Sequence, residues 1–235
     1  MVYNMHGIQF ENPLDPGFFD DFSTHAFYAA EMKNFINHAT RFNCMIDIGS
    51  CFGLFSLIFA ANIGKTSYAI EPSQWAYPNL LTMIAANPTF NIKSHNLFFG
   101  SVIGRKVQCV KDWCQTIAIH KGIVDRVGEC AEKTIVEETS LDNFCQAQKI
   151  KPDCMKIDVE GYELEVVIGG QETISSYHPV IFLEVHVPSI KELGGSIEDL
   201  TVLLERHNYK IYDTDNEVVD MRYSQPNNHY HCEVN

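Results

Sequence analysis

The chain lacks most of the features that announce a partner. Its 235 residues hold 17 lysines and arginines against 30 acids, a net charge of −13, with no basic cluster anywhere. A phosphate backbone is gripped by Lys and Arg displacing counterions, so nucleic acid is not expected as a partner, whereas this field suits a cationic small ligand. Eight cysteines are present (Cys44, Cys51, Cys109, Cys114, Cys130, Cys145, Cys154 and Cys232), yet none forms a C-x-x-C pair. They read as buried free thiols in a reducing compartment. No basic stretch leading into an apolar one opens the chain, so no secretory signal is read and a cytoplasmic location is expected. The longest apolar run, around residues 51–61, falls short of the roughly twenty residues that a membrane span needs. No repeat, low-complexity tract or linker divides the chain.

Alternation is what the sequence does have, on a 46% hydrophobic composition ordinary for a globule. Residues 24–40 read as a helix, followed by a strand at 44–49, a helix at 54–63 and a strand at 67–70. A helix at 77–87 carries Pro78 in its first turn, where proline is tolerated, and a strand follows at 91–97. Residues 100–140 break the pattern, with short strands at 107–110 and 134–136 and turn signals at Gly104, Gly122 and Gly128. We read this stretch as a β-hairpin-like excursion beside the sheet. Ser140 caps a helix at 141–148. A strand at 154–159, a helix at 162–177 interrupted at Gly169-Gly170, a strand at 180–187, a helix at 197–208 and a strand at 210–212 follow. Val218-Val219 can pair antiparallel with the last of these. Such units predict an α/β fold, a doubly wound, mostly parallel sheet. Residues 1–23 read as a surface arm and 188–196 as a loop.

The alternation is organised around Cys44-Met45-Ile46-Asp47-Ile48-Gly49-Ser50-Cys51-Phe52-Gly53, a buried strand, a glycine turn and the start of a helix. Gly49 and Gly53 give the backbone freedom and let a ligand approach, and the amides that open the helix suit a carboxylate or phosphate. About twenty residues on, Glu71-Pro72 ends the next strand in an acid, the arrangement that grips ribose hydroxyls. Turn plus acid predicts a nucleoside-containing cofactor.

Ligands of such sheets lie beyond the carboxyl ends of the strands. The polar residues there are Asp47, Glu71, Asn96, Asp158 with Glu160, and Glu184 with His186. In an extended strand Lys156, Asp158 and Glu160 share one face, and three charges there need partners or a cleft.

Asp47-Ile48-Gly49 with Gly53, then Glu71-Pro72, then Ser140-Leu141-Asp142-Asn143-Phe144, then Lys156-Ile157-Asp158-Val159-Glu160-Gly161 with Glu163, and Glu184-Val185-His186 follow in order across residues 42–187. The series resembles the FkbM family of S-adenosylmethionine-dependent methyltransferases. The resemblance implies a class I, Rossmann-like sheet of seven strands with one reversed, and O-methylation of a sugar, glycan or related natural product. Residues 41–235 would form the single methyltransferase domain, with the arm and helix of residues 1–40 packed on it. On this reading Asp47, Gly49, Ser50, Cys51, Gly53, Glu71, Pro72 and Asn96 bind S-adenosyl-L-methionine. Backbone amides at the turn meet its carboxylate, Glu71 its ribose and Asn96 its adenine. His186, able to titrate near neutrality, or Asp158 serves as base for the acceptor hydroxyl. Glu160 and Glu184 bind the acceptor.

A divalent metal held by Asp158, Glu160, Glu184 and His186 is the less favoured arrangement, and no metal is expected. One departure stands out. The family commonly shows Asp-x-Gly-Ala-Asn-x-Gly, and this chain has Ser50-Cys51 in the turn. Two rivals remain. One is a nicotinamide oxidoreductase, disfavoured because no full G-x-G-x-x-G is present; the other is a catalytically silent binding module of the same fold. His229-Tyr230-His231-Cys232 reads as a surface tail, Trp75, Tyr77 and Trp113 as packing aromatics, and Cys51 as a thiol with no activating neighbour.

Overall fold

The computed structural model describes residues 1–14, 16–19, 26–62, 64–112, 115–129, 131–224 and 228–234. In chain order the first half comprises β1 (Val2–Met5), β2 (Ile8–Glu11), a 3-10 turn (Pro16–Phe19), α1 (Ala26–Ala39), β3 (Cys44–Ile48), α2 (Leu54–Ala60), β4 (Thr66–Ile70), α3 (Tyr77–Ala86) and β5 (Ile92–His95). Next come β6 (Phe98–Phe99), β7 (Lys106–Asp112), β8 (Gln115–Ala118), α4 (Lys121–Val127), β9 (Lys133–Thr139) and α5 (Leu141–Gln148). The last part holds β10 (Cys154–Ile157), α6 (Glu163–Ile168), α7 (Gln171–Tyr177), β11 (Val180–Glu184), α8 (Val187–Glu192), α9 (Ile197–Arg206), β12 (Tyr209–Tyr212) and β13 (His229–Val234).

Seven strands form the main sheet in the order β12-β13-β11-β10-β3-β4-β5. β3, β4, β5, β10 and β11 run parallel, and β13 runs against both of its neighbours. This is the predicted doubly wound sheet with one reversed strand. β3 is central because it can be buried on both faces: Met45, Ile46, Asp47 and Ile48 are all buried. One apolar core packs Ile46, Ile48, Ile157 and Leu183 against α5, α6 and α9. The other packs Met45, Cys154 and Phe182 against α1, α2 and the β1–β2 hairpin. In register, Ile48 lies beside Ile70 and Ile157, and Ile157 beside Leu183. Gly49, Glu71, Asp158 and Glu184 therefore emerge along one edge.

The excursion is more than a hairpin. β6, β9, β7 and β8 make a second, four-stranded sheet in that order, and α4 lies between β8 and β9. The expected strands at 107–110 and 134–136 are the middles of β7 and β9. α4 is hidden in the sequence because its cap is unusual: the His120 ring accepts the amide of Ile123, where Ser, Thr, Asp or Asn is the common signal. Arg105 anchors this sheet by bonding Glu138 at 2.6 Å, Tyr162 Oη at 3.0 Å and Glu165 at 2.6 Å.

Four other expectations need correction. Residues 1–14 do not form a surface arm: Met5 and Phe10 are buried, and Asn87 exchanges two hydrogen bonds of 2.8 Å with the backbone of Glu11. Residues 188–196 are not all loop, since Val187–Glu192 is helical with Pro188 in its first turn. The strand at 154–159 stops at Ile157, and Glu160 and Gly161 turn through left-handed φ values of 54° and 110°. The polar tail is an inner strand: His229, Tyr230, His231 and Cys232 are 4% exposed or less. The predicted helix ends at Thr24 and Ile63, with Trp113, Cys114 and Cys130, lie outside the described residues.

Gly49 owes its identity to the protein's own backbone rather than to a ligand. Its φ is +82°, and a Cβ there would meet the Asp158 carbonyl oxygen at 1.7 Å. Gly49→Ala should lower stability by roughly 2 kcal/mol or more, because both the φ and the space are denied. Urea unfolding checks this, and an unchanged midpoint would show that the two turns are not held so closely.

Candidate active site

The turn after β3 satisfies most of its own polar groups. The amides of Gly49 and Ser50 both donate to Ile70 O, at 2.9 and 3.0 Å, and that of Gly53 donates to Ser50 O at 2.7 Å. The Cys51 amide donates to Glu71 Oε2 at 2.7 Å. Those four amides are spent, which corrects the expectation that they meet the cofactor's carboxylate. Cys51 sits at φ 49°, in the left-handed region that asparagine tolerates better than most residues. The Asn of the family pattern suits the position, and here cysteine takes the same backbone shape.

Asp47 points inward, not at the cleft. Its Oδ2 accepts the Ser56 amide at 3.1 Å and the Ser56 hydroxyl at 2.6 Å, tying β3 to the first turn of α2. Burial raises its pKa to about 6. Glu71 is also buried, and its Oε1 accepts the Ser73 amide at 2.8 Å. Burial, against the pull of the Ser73 and Cys51 amides, lifts Glu71 to about 7. A carboxylate has about four lone-pair sites, so Glu71 keeps acceptor capacity towards the cleft it lines.

That cleft is bounded by Gly49, Cys51, Glu71 and Pro72 on one side and by Asp158, Val159 and Glu160 on the other, under Leu97, Phe98 and Gln115. Its volume is about 70 Å³, below the several hundred Å³ usual for a ligand pocket. Gln115, from β8, donates to Glu160 Oε1 at 2.9 Å and bridges the opening. Asn96 does not line this cleft but a neighbouring hollow that shares Pro72, Leu97 and Phe98 with it, and its Nδ2 donates to the backbone Glu71 O at 2.7 Å.

Glu160 also lines a second hollow, a groove of about 450 Å³ shared with His120, Arg126, His186, Ser189, Glu192 and Asn228. The excursion and α8 supply most of this wall. Among the described residues none of the amino-terminal stretch lines it.

Between the two hollows lies a network of buried charge. Lys156 is 1% exposed, and its Nζ stands 2.9 Å from Glu31, 3.8 Å from Asp158 and 3.9 Å from Glu184. Burial works against its charge, but those three carboxylates outweigh it and raise the pKa. Glu31 is pulled down despite its burial by Lys156 and His229, whose Nδ1 is 2.9 Å away. Glu184 is pushed up by burial and by Asp158. His186 Nδ1 meets the fully buried Glu163 at 2.8 Å, and its Nε2 lies 3.6 Å from both Glu160 and Glu184. Burial opposes the charge on His186, yet Glu163, then Asp158 and Glu160, raise it to about 10. The carboxylates around it thus favour the charged, donating form of the ring, against its reading as a base that titrates near neutrality.

Oxygen and nitrogen atoms of Asp158, Glu160 and His186 lie within 4.8 Å of one another, as do those of Glu31, Glu184 and His229. The strand ends thus bring together Gly49, Cys51, Glu71, Pro72, Asp158 and Glu160 at the cleft, and Glu160 and His186 at the groove. Asp47 is buried behind the cleft, and Asn96 lines the hollow next to it. Glu31, Glu163, His229 and Gln115 were missed by sequence reasoning. Glu163 carried a signal, since it follows the KIDVEG stretch, but Glu31 looks like any helix acid.

Because the folded state raises the pKa of His186 above its unfolded value near 6.5, its contribution to stability is complete below that pH and lost as pH rises through about 10. His186→Gln should flatten that slope and cost on the order of 2 kcal/mol at pH 7. Denaturant unfolding at pH 6 to 10 measures it, and an unaltered slope would rule out the charged ring.

Comparison with known proteins gives the family. The model of the methyltransferase FkbM domain matches residues 47–211, well over half of the chain. No curated protein matches the sequence significantly. Among solved structures, methyltransferase FkbM from Methylobacillus flagellatus KT is 19% identical at a TM-score of 0.53, over 81% of this chain and 43% of that one. The chain thus spans less than half the length of that protein. Precorrin-6y C5,15-methyltransferase from Geobacter metallireducens GS-15 is 12% identical, at a TM-score of 0.45 over 86% and 85% of the two chains. Aeropyrum pernix fibrillarin, solved with natively bound S-adenosyl-L-methionine, is 10% identical, at a TM-score of 0.44 over 82% and 66%. Among the described residues no helix is long and apolar enough to cross a membrane. With its FkbM domain, its seven-stranded sheet and its acids gathered at the strand ends, the chain belongs to the FkbM family of S-adenosylmethionine-dependent methyltransferases.

Proposed function

We propose that the protein transfers a methyl group from S-adenosyl-L-methionine to a hydroxyl of a sugar, glycan or related natural product. The observation that carries this reading is the meeting of two hollows at Glu160: a cleft beside the β3 turn and a groove of mixed polar and apolar lining beside His186. The residues of the cleft suit the cofactor chemically. Glu71 retains lone pairs for ribose hydroxyls, Leu97 and Phe98 offer an apolar surface for a base, and Asp158 and Glu160 favour a positive sulfonium. When bound, the cofactor supplies an activated methyl group for in-line displacement. Opening the cleft requires Gln115 to release Glu160, so the carboxylate becomes available as the cleft fills.

The groove suits a hydroxyl-bearing acceptor because the donors and acceptors of Arg126, Glu160, His186, Ser189 and Asn228 share its lining with apolar Ile117, Ile123 and Val187, the mixture that a sugar's hydroxyls and C–H faces need. Asp158 borders the cleft and is the carboxylate placed to take the hydroxyl proton. His186, charged and fixed by Glu163, donates to the acceptor oxygen and orients it, and Glu160 accepts from a neighbouring hydroxyl. Holding acceptor and donor in line is itself worth several kcal/mol. Glu184 lies one layer deeper and acts by positioning His186 and Lys156.

Two measurements test the reading. Calorimetry should show S-adenosylhomocysteine binding and no NAD binding; the reverse would replace a methyltransferase with an oxidoreductase. Transfer of labelled methyl to a panel of glycans should fall roughly 10²–10⁴-fold in kcat for Asp158→Asn, while Glu160→Gln should act mainly on the acceptor KM. Equal rates for the wild type and Asp158→Asn would remove Asp158 from the chemistry.

A further inference from the structure

The face of β13 that carries His229 also carries His231 and Glu233, because alternate residues of a strand share a side. Against it lies the face of α1 that carries Glu31, Phe35 and His38. Glu31 meets His229 at the active-site end. Farther along, towards the amino ends of the parallel strands, the His38 and His231 rings stand 4.6 Å apart between centroids. One ligand atom each of His38, His231 and Glu233 lies within 4.8 Å of the others.

Three features of this second cluster point to a ligand. His231 is 3% exposed, and its Nδ1 is buried with no hydrogen-bond partner, a costly state for an imidazole nitrogen. The ring is flanked by Tyr212, stacked at 4.8 Å, and by His38, so neither neighbour relieves that nitrogen. His38 is already oriented: its Nδ1 is 2.9 Å from the Asn34 carbonyl. A carbonyl only accepts, so Nδ1 carries the hydrogen and Nε2 of the neutral ring presents a lone pair, the outer-shell arrangement typical of metal-binding histidines. Glu233 supplies the anion. Its Oε2 now holds Arg41 at 2.9 Å, a guanidinium about half exposed that also lies over the Phe42 ring at 5.1 Å and that an ion would have to displace.

We propose that His38, His231 and Glu233 form a binding site for a divalent transition metal of the zinc class, clasping the end of α1 to β13. Two imidazoles and a carboxylate are a common three-residue set for zinc, with water in the fourth position. Ligand atoms about 2.0–2.2 Å from such an ion sit roughly 3.3 Å apart, so small rotamer changes close the cluster. The site is separate from the acids of the cleft and needs none of the residues assigned to methyl transfer.

Co²⁺ is the probe, titrated into the full chain after chelator dialysis and followed by its visible absorption. One equivalent should bind with the intense bands of four-coordinate cobalt. His38→Ala and, independently, His38→Gln and Glu233→Gln should weaken it at least tenfold while leaving S-adenosylhomocysteine binding unchanged. Glu160→Gln, which alters the cleft cluster instead, should leave the cobalt spectrum intact. Zn²⁺ should raise the melting temperature of the wild type and not of the His38 variants. Absence of cobalt binding at millimolar concentration, or cobalt binding lost in Glu160→Gln and kept in His38→Ala, overturns the proposal.

Discussion

The ammonium group of Lys156, withdrawn from water among Glu31, Asp158 and Glu184, is the interaction on which the site depends. An isolated charge at that depth would cost several kcal/mol, and such a charge persists only when opposite charges surround it. Here the partners come from α1, from the turn after β10 and from the end of β11. One cation thereby fixes the distance between a helix near the start of the chain and two strands of its second half. The Phe55 ring, 5.0 Å from Nζ, closes the remaining side. Apolar burial supplies the bulk of the folding energy, but it is non-directional. The ion cluster makes the strand ends meet in one arrangement.

From that arrangement the division of labour follows. Lys156 draws charge to the floor of the site, so Asp158 and Glu160 remain as the acids facing the two hollows. Glu163 completes the design from below, since its Oε1 accepts both the Gly161 amide at 2.9 Å and the His186 ring. It couples the left-handed turn at Glu160-Gly161 to the ring beside the groove. Glu160, on that strained turn, is bonded to Gln115, so the second sheet reaches the site through this hydrogen bond as well as through Phe98 in the cleft wall.

The same helix–strand contact serves two ends of the sheet. Near the strand termini it carries Glu31 and His229 into the ion network, and near the strand starts it brings His38 to His231 and Glu233. Polar residues on a buried interface are costly unless paired, and α1 and β13 repeat them at both ends of their contact, with Phe35 of α1 packed on Phe182 in between. That repetition explains why a strand reading His-Tyr-His-Cys is stable inside the sheet.

The alternation of strands and helices, the β3 turn and the acids at the strand ends were legible in the sequence, because hydrophobic period and glycine placement are local properties. Asp47-Ile48-Gly49, Glu71 and Lys156 to Gly161 mark their places whatever lies around them. The roles of those residues were not local. Asp47 faces Ser56, Asn96 faces the Glu71 carbonyl, and Gly49 makes room for Asp158; each depends on a neighbour far away in the chain. β13 was hidden because its histidines look polar until Glu31, Tyr212 and His38 are brought beside them. The field at His186 is likewise set by three carboxylates that only the tertiary structure assembles. Sequence determined which elements form and which edge of the sheet carries polar groups; the packing of α1, the second sheet and β13 decided what those groups face, because electric field and burial depend on distance in space and not along the chain.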